Sequence, residues 1–276
     1  MREAGYAVAV TTLLLLGQLS ACGPALDEDT RPRHARAGAG AGDTAADTAA
    51  DTAADTAADT ASSDPGPLTG IDVSGWNPGI DWEAAAADGA RFAYIKATEG
   101  SYYTSDEYAD QWAGAAAAGL YRGAYHFGNP SYSGGAEQAD WFVDHGGGWV
   151  DDGITLPGVL DFEWNPYDGD DCYDMSPTEL AHWIRDFNGQ YESRTGRAPA
   201  IYTSANYWAA CVDLDTFGEL PLWVSDWDET EPVLPTGWTD WLFWQVSAEA
   251  EVAGVGAEVD LNLFHGGEAA MAEWAR

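Results

Sequence analysis

Two acids stand two positions apart in an otherwise apolar stretch, "PGVLDFEW" at residues 157–164. The residues ahead of them have the make-up of a buried strand. Acidic side chains are rarely placed in such a strand unless a site needs them. In a strand, residues i and i+2 face one side, roughly 6.6 Å apart along the backbone. Asp161 and Glu163 therefore point the same way, and Phe162 turns to the other face. A pair of carboxylates flanking a bond is the equipment of glycoside hydrolysis. Glu163, with the longer reach and the apolar Trp164 beside it, is expected to be the general acid with a raised pKa. Asp161 is expected to stay charged.

Other acids fall in strand-like runs: Asp72 in "GIDVS", Asp226 in "WVSDW" and Asp260 in "EVDLNLF". Lys96 is the only lysine of the chain, so no cationic cluster neutralises them, and crowded carboxylates raise one another's pKa. Competing chemistries fit less well. Carboxylates alone suit calcium or magnesium. The acid-rich "NPYDGDDCYD" at 165–174, however, lacks the spacing of a cation loop and has the pattern of a surface loop. His126, His145, His182 and His265 show no paired-ligand spacing for zinc, and no G-x-S-x-G marks a serine nucleophile. No metal and no cofactor is expected.

These acids need elements to hold them. Strand-like stretches at 70–74, 91–97, 122–127, 157–164 and 198–204 are each followed by a helical one, at 81–89, 105–119, 134–147, 176–196 and 204–211. Ser105 is the expected cap of the second helix and Pro177 lies in the first turn of the fourth. Strand–helix units in series argue a parallel sheet. Three more strands follow with little helix between them, at 221–227, 241–247 and 258–264. The expectation is an α/β fold: an irregular TIM-like barrel of five β/α units followed by three β-strands. An open doubly wound sheet is the alternative, and a count of eight favours closure. In a parallel barrel, function gathers where strands end in loops at the C-terminal face. Asp72, Asp161, Glu163, Asp226 and Asp260 are expected to meet there.

The first 68 residues are not part of that barrel. An apolar run, Ala7–Leu19, follows a basic start at Arg2 and is too short to span a bilayer. It ends in "LSAC", which resembles a bacterial lipobox with Cys22 as the lipidated residue. Residues 1–21 are expected to be a signal peptide. Residues 22–68 are expected to be a tether, because the repeat "DTAADTAADTAADTAADTA" at 43–61 holds nothing to bury. The folded domain is expected over 69–276. It carries 36 acids against 7 basic residues, a net charge near −29. That balance excludes nucleic acid as a partner and suits an exported protein. A lipid at Cys22 would anchor a monomer to the cell envelope, and Gly23 in place of Asp favours the outer membrane. With Cys22 set aside, Cys172 and Cys211 are expected to pair in an oxidising compartment.

From Gly70 to Phe264 the sequence resembles the lysozymes of glycoside hydrolase family 25, the Chalaropsis-type muramidases. The matching pieces are "GIDVSGWNPGIDW", "FAYIKATEG", "GAYHF", "LDFEW", "IYTS", "LW" at 222–223, and "WQVS" followed by "VDLNLF". Their order and spacing together are specific. The resemblance implies a catalytic set of Asp72, Asp161, Glu163 and Asp260, with Glu163 as proton donor. It also implies metal-free cleavage of the β-1,4 bond between N-acetylmuramic acid and N-acetylglucosamine. Asp226 stands where many relatives have a non-acidic residue and is left out of the set. Tyr125 and Trp164, next to the acids, are the foremost candidates to stack on sugar rings, with Phe127, Tyr202 and Trp223 behind them and Trp76 and Trp244 further possibilities. A wall-binding module without catalysis, or a hydrolase of another 2-acetamido glycan such as chitin, are the rival functions.

Overall fold

The computed structural model describes residues 66–227 and 229–276. The expected signal peptide, Cys22 and the repeat lie outside the described residues. The first strand, β1 (Leu68–Val73), starts one residue before the expected boundary. The chain continues through α1 (Trp82–Asp88), β2 (Phe92–Glu99), the two-residue β3 (Tyr103–Thr104), α2 (Tyr108–Ala117), β4 (Tyr121–Phe127) and α3 (Gly135–Phe142). It then runs through β5 (Val159–Asp161), α4 (Pro177–Thr195), β6 (Ala200–Thr203), α5 (Ala205–Tyr207), β7 (Leu222–Ser225), β8 (Phe243–Ala250), β9 (Val259–Phe264) and α6 (Glu268–Trp274).

Eight of these strands close a barrel. The hydrogen-bonded order is β1-β9-β8-β7-β6-β5-β4-β2, and β2 pairs back to β1. β3 is a short antiparallel addition to the end of β2. The barrel is parallel except for β9, which is antiparallel to both β8 and β1. Only residues 251–258 join β8 to β9, and so short a connection returns the chain as a hairpin. The reversal puts Asp260, at the start of β9, at the same barrel end as the C-termini of the other strands.

Alternation along the strands divides the side chains into two layers. Inside the barrel, the half toward the strand N-termini is aromatic. Tyr94 lies 5.0 Å from Trp223 and Phe92 lies 5.2 Å from Phe243, contacts that cross the lumen. Gly123 faces inward on β4, and a Cβ there would come within 2.1 Å of the Tyr94 ring. α6, absent from the sequence expectation, packs Met271 into this cluster and closes the bottom.

Outside the barrel, α3 and α4 cover β4, β5 and β6, with Phe142, Phe162, Trp183 and Phe187 between them. α4 has strong local signals: Ser176 and Glu179 form a reciprocal capping box, Pro177 opens the first turn, and Gly196 ends the helix at φ 76°. Buried His126, on the outer face of β4, is held between Thr98 (2.8 Å) and Gln138 (3.0 Å). Gln138 Nε2 donates to Asn129 and Ser133 carbonyls, so its Oε1 accepts from His126 Nε2–H. Burial favours the neutral ring and lowers its pKa to about 4.

Two local expectations are corrected. Glu107, not Ser105, precedes α2, and no side chain caps that helix. Ser105 instead extends the β2–β3 pairing by one residue, its N–H donating to the Ala97 carbonyl. The strand carrying the acid pair ends at Asp161, so Glu163 lies beyond it. Cys172 and Cys211 are joined in a disulfide, with Cα atoms 5.3 Å apart.

Candidate active site

At the other end of the lumen the inward positions turn polar. Asp72 on β1 and Asp260 on β9 are direct cross-strand partners. Asp72 Oδ2 accepts from Gln245 Nε2 and from Asn262 Nδ2, both at 2.9 Å. Asn262 is itself fixed by Trp223 Nε1–H at 2.9 Å. Gln245 Oε1 accepts from the Tyr202 hydroxyl and from Trp227 Nε1, each at 2.9 Å. Asp72 thus sits on a buried amide platform, Gln245 and Asn262, whose oxygens are themselves held by Tyr202, Trp227 and Trp223.

Asp161 ends β5 between Phe127 and Tyr202 in the ladder. It is only 8% exposed, and its buried Oδ1 has no hydrogen-bond partner among the described residues. Burial, then the Glu163 carboxylate, then Asp72 and Glu99 push its carboxyl well above the usual range, with Lys96 opposing them. Ionisation of Asp161 is thus opposed while Glu163 is charged, and the two carboxyls are drawn to share one proton. Glu163 is half-buried, two residues past the strand. Between them Phe162 N–H donates to the Tyr202 carbonyl at 2.9 Å, and the Phe162 ring packs outward against Trp183 and Tyr207. The alternation therefore outlasts the strand, and the two acids share a side.

Glu99 is a buried acid that sequence reasoning missed. It ends β2 and accepts from Lys96 Nζ at 2.8 Å, from the Tyr102 hydroxyl at 2.5 Å and from the Tyr167 hydroxyl. Burial works to raise its pKa, but the Lys96 charge and these hydrogen bonds outweigh it and hold Glu99 below the ordinary value. The one available signal was the chain's only lysine, three residues before an acid at a strand end. Asp226 plays a different part: its Oδ2 accepts from the Val233 N–H at 2.8 Å and ties down the loop after β7.

The aromatic candidates divide by depth. Trp223 is 2% exposed and forms the floor of the polar layer, so it supports the site without reaching a ligand. Trp244 is buried as well, and Phe127 is buried with its ring 5.2 Å from Lys96 Nζ. Tyr125 and Tyr202 are half-buried in the lumen. Trp164 is half-buried and set edge-on to Tyr207 at 5.2 Å. The exposed rings are Trp76, Tyr132, Tyr167 and Trp227, each on a loop that follows a parallel strand. Tyr102 and Tyr132 contact each other at 4.4 Å. This rim has flat apolar faces over an acidic floor, the make-up of a groove for a glycan.

The sequence profile of glycosyl hydrolases family 25 matches residues 71–255, which hold Asp72, Glu99, Asp161 and Glu163 and stop short of Asp260. Lysozyme M1 of Streptomyces globisporus is 44% identical over 211 residues, 76% of this chain and 71% of that protein. The N,O-diacetylmuramidase of Arthroderma benhamiae is 38% identical over 213 residues, 76% of this chain and 88% of its own. Among solved structures, the bacterial lysozyme from Streptomyces coelicolor has a TM-score of 0.74 at 44% identity, covering 77% of this chain and 98% of that one. The muramidase from Acremonium alcalophilum has a TM-score of 0.72 at 41% identity, covering 75% and 98%.

Proposed function

The chain belongs to glycosyl hydrolases family 25 and is a lysozyme-type hydrolase of peptidoglycan; from that premise we propose that it cuts the β-1,4 bond between N-acetylmuramic acid and N-acetylglucosamine, with Glu163 as general acid. The observation that supports this reading is the pair of carboxyls at the loop end of β5, Asp161 buried and Glu163 half-buried beside it, whose mutual repulsion favours their sharing one proton. Two carboxyls so coupled hold a proton that one of them can deliver.

In this reading Glu163 protonates the glycosidic oxygen as the bond to the anomeric carbon breaks. Asp161 serves the 2-acetamido group of the sugar, whose oxygen attacks the anomeric carbon. The buried Oδ1 of Asp161 has no donor among the described residues, and the acetamido N–H supplies one. Water then opens the cyclic intermediate, giving its proton to Glu163. Asp72, fixed by Gln245 and Asn262, and Asp260 beside it place negative charge near the developing oxocarbenium ion. Tyr125, Tyr202 and Trp164 line the depth of the groove, and Trp76, Tyr132, Tyr167 and Trp227 its rim. No metal or cofactor takes part in these steps.

Digestion of peptidoglycan and chitin side by side tests the substrate class. Peptidoglycan should yield soluble muropeptides, and chitin should be cut far more slowly. Equal or faster release from chitin would move the assignment to that glycan, and binding without release from either would make the domain a wall-binding module. The sequence also supports a lipid anchor at Cys22 on the outer membrane, with the repeat as spacer for a monomeric domain. Replacing Cys22→Ser should shift the protein from the detergent phase to the soluble fraction. Wild-type protein lacking lipid mass would contradict the anchor.

A further inference from the structure

Glu163 has a problem that strand geometry does not solve. β5 ends at Asp161, and the last ladder bond is the one from Phe162 N–H to the Tyr202 carbonyl. The main chain that carries Glu163 is therefore held by something other than the sheet. Its carbonyl accepts from the Tyr173 hydroxyl at 3.1 Å, and the same hydroxyl lies 3.4 Å from the carbonyl of Gly128, just past β4. Gly128 N–H in turn donates to the Asp161 carbonyl at 2.9 Å. One phenol thus bridges the ends of two neighbouring strands at the point where the acid leaves the sheet.

Tyr173 is itself strongly constrained. Its side chain is 2% exposed and its ring stacks on Phe162. The preceding residue, Cys172, is bridged to Cys211 in the turn after α5. Tyr173 and Asp174 both have left-handed backbone, at φ 62° and 55°. Non-glycine residues keep that conformation only where the surroundings over-determine it. The loop between Glu163 and Tyr173 closes on itself, with Asn165 N–H donating to the Asp171 carbonyl at 3.1 Å and Asn165 Nδ2 to the Asp170 carbonyl at 3.1 Å. Burial pushes the Tyr173 hydroxyl well above its ordinary pKa, so it remains a donor at any working pH.

We propose that Tyr173, locked by the adjacent Cys172–Cys211 bridge, is a positioning residue that fixes the main chain of Glu163 and so the reach of its carboxyl. The inference rests on Glu163 being the general acid. A displacement of about 1 Å of a reacting group can cost on the order of 10²-fold in rate. The hydroxyl is buried and acts through the Glu163 carbonyl, and should therefore affect turnover far more than substrate binding.

The test is a double-mutant cycle with Tyr173→Phe and Glu163→Gln, assayed on purified peptidoglycan well below each variant's melting temperature. Tyr173→Phe keeps the ring, the stacking and the disulfide and removes one donor. It should lower kcat about tenfold with KM within about twofold of the parent. In the Glu163→Gln background the same change should have no further effect, because the group it positions is already gone. Equal losses from Tyr173→Phe in both backgrounds would make Tyr173 a general scaffold residue and overturn the proposal. So would a Tyr173→Phe enzyme within about twofold of the parent while Glu163→Gln is severely impaired. Full activity in Glu163→Gln would instead overturn the assignment of the acid. Should Tyr173→Phe melt too low to assay, Cys172→Ala with Cys211→Ala releases the same loop. That pair is expected to show the same loss of kcat at unchanged KM, and parent-like kcat in it would overturn the proposal.

Discussion

Asp161 is a side chain whose contributions to stability and to chemistry oppose each other. Its folded carboxyl is raised above the unfolded value of about 3.9. The stability it contributes is therefore complete below that value and is lost as pH rises through the folded one. Near neutrality, with Glu163, Asp72 and Glu99 around it and Lys96 the opposing charge, it destabilises the fold. Asp161→Asn should raise the melting temperature at pH 7, and the gain should shrink as pH approaches 4. The same variant should lose most activity. A melting temperature at or below the parent's at pH 7 contradicts this account. The D-x-E pair was legible because acids at i and i+2 of an apolar strand are costly to bury and so mark a site. Glu99 was not, because its role depends on Tyr167, 68 residues away, and on a lysine that strand alternation alone does not aim. Trp223 was misplaced for a related reason: alternation gives the face of a residue but not its depth in the barrel.

At the scale of elements, barrel closure, the Cys172–Cys211 pair and the start of α4 followed from the sequence, while the Ser105 cap and the direction of β9 did not. The capping box of α4 was readable from Ser176, Pro177 and Glu179, and Ser176→Ala should cost about 1 kcal/mol with activity unchanged. Denaturant unfolding would show this, and a loss of turnover in that variant would mean the helix start reaches the site. The reversal of β9 was not foreseen, since the pattern of a strand carries no direction. α6 was passed over because seven residues near the end of the chain offer little periodicity. The disulfide closes a separation of 39 residues and contributes up to about 4 kcal/mol in the chain-entropy model. Cys172→Ala with Cys211→Ala should lower stability by no more than that, and non-reducing peptide mapping of the parent should recover one linked pair. On β4, His126 lies in a buried network and should remain neutral down to about pH 4. Its ring resonances should not move between pH 7 and 5, and a midpoint near the ordinary value of about 6.5 would contradict the network.

For the whole molecule the dominant fact is charge. Residues 69–276 carry a net charge near −29, and self-repulsion of that size destabilises a compact state. Salt shortens the range of repulsion to about 3 Å at 1 M. The melting temperature should therefore rise as sodium chloride is added, and so should the rate on an anionic wall. A flat or falling melting curve would show that the surface charges are already locally paired. The barrel gathers its acids at one end and leaves the rest of that charge spread over the surface, so screening should leave the Asp161 and Glu163 pair intact. This pair, with Glu163 as acid, is proposed to cut N-acetylmuramic acid from N-acetylglucosamine. Mass analysis of peptidoglycan digested by the parent and by Glu163→Gln tests it most directly. New reducing ends on N-acetylmuramic acid, lost by about 10²–10⁴-fold in the variant, are the predicted result. Reducing ends on N-acetylglucosamine, or equal digestion by the variant, would contradict it.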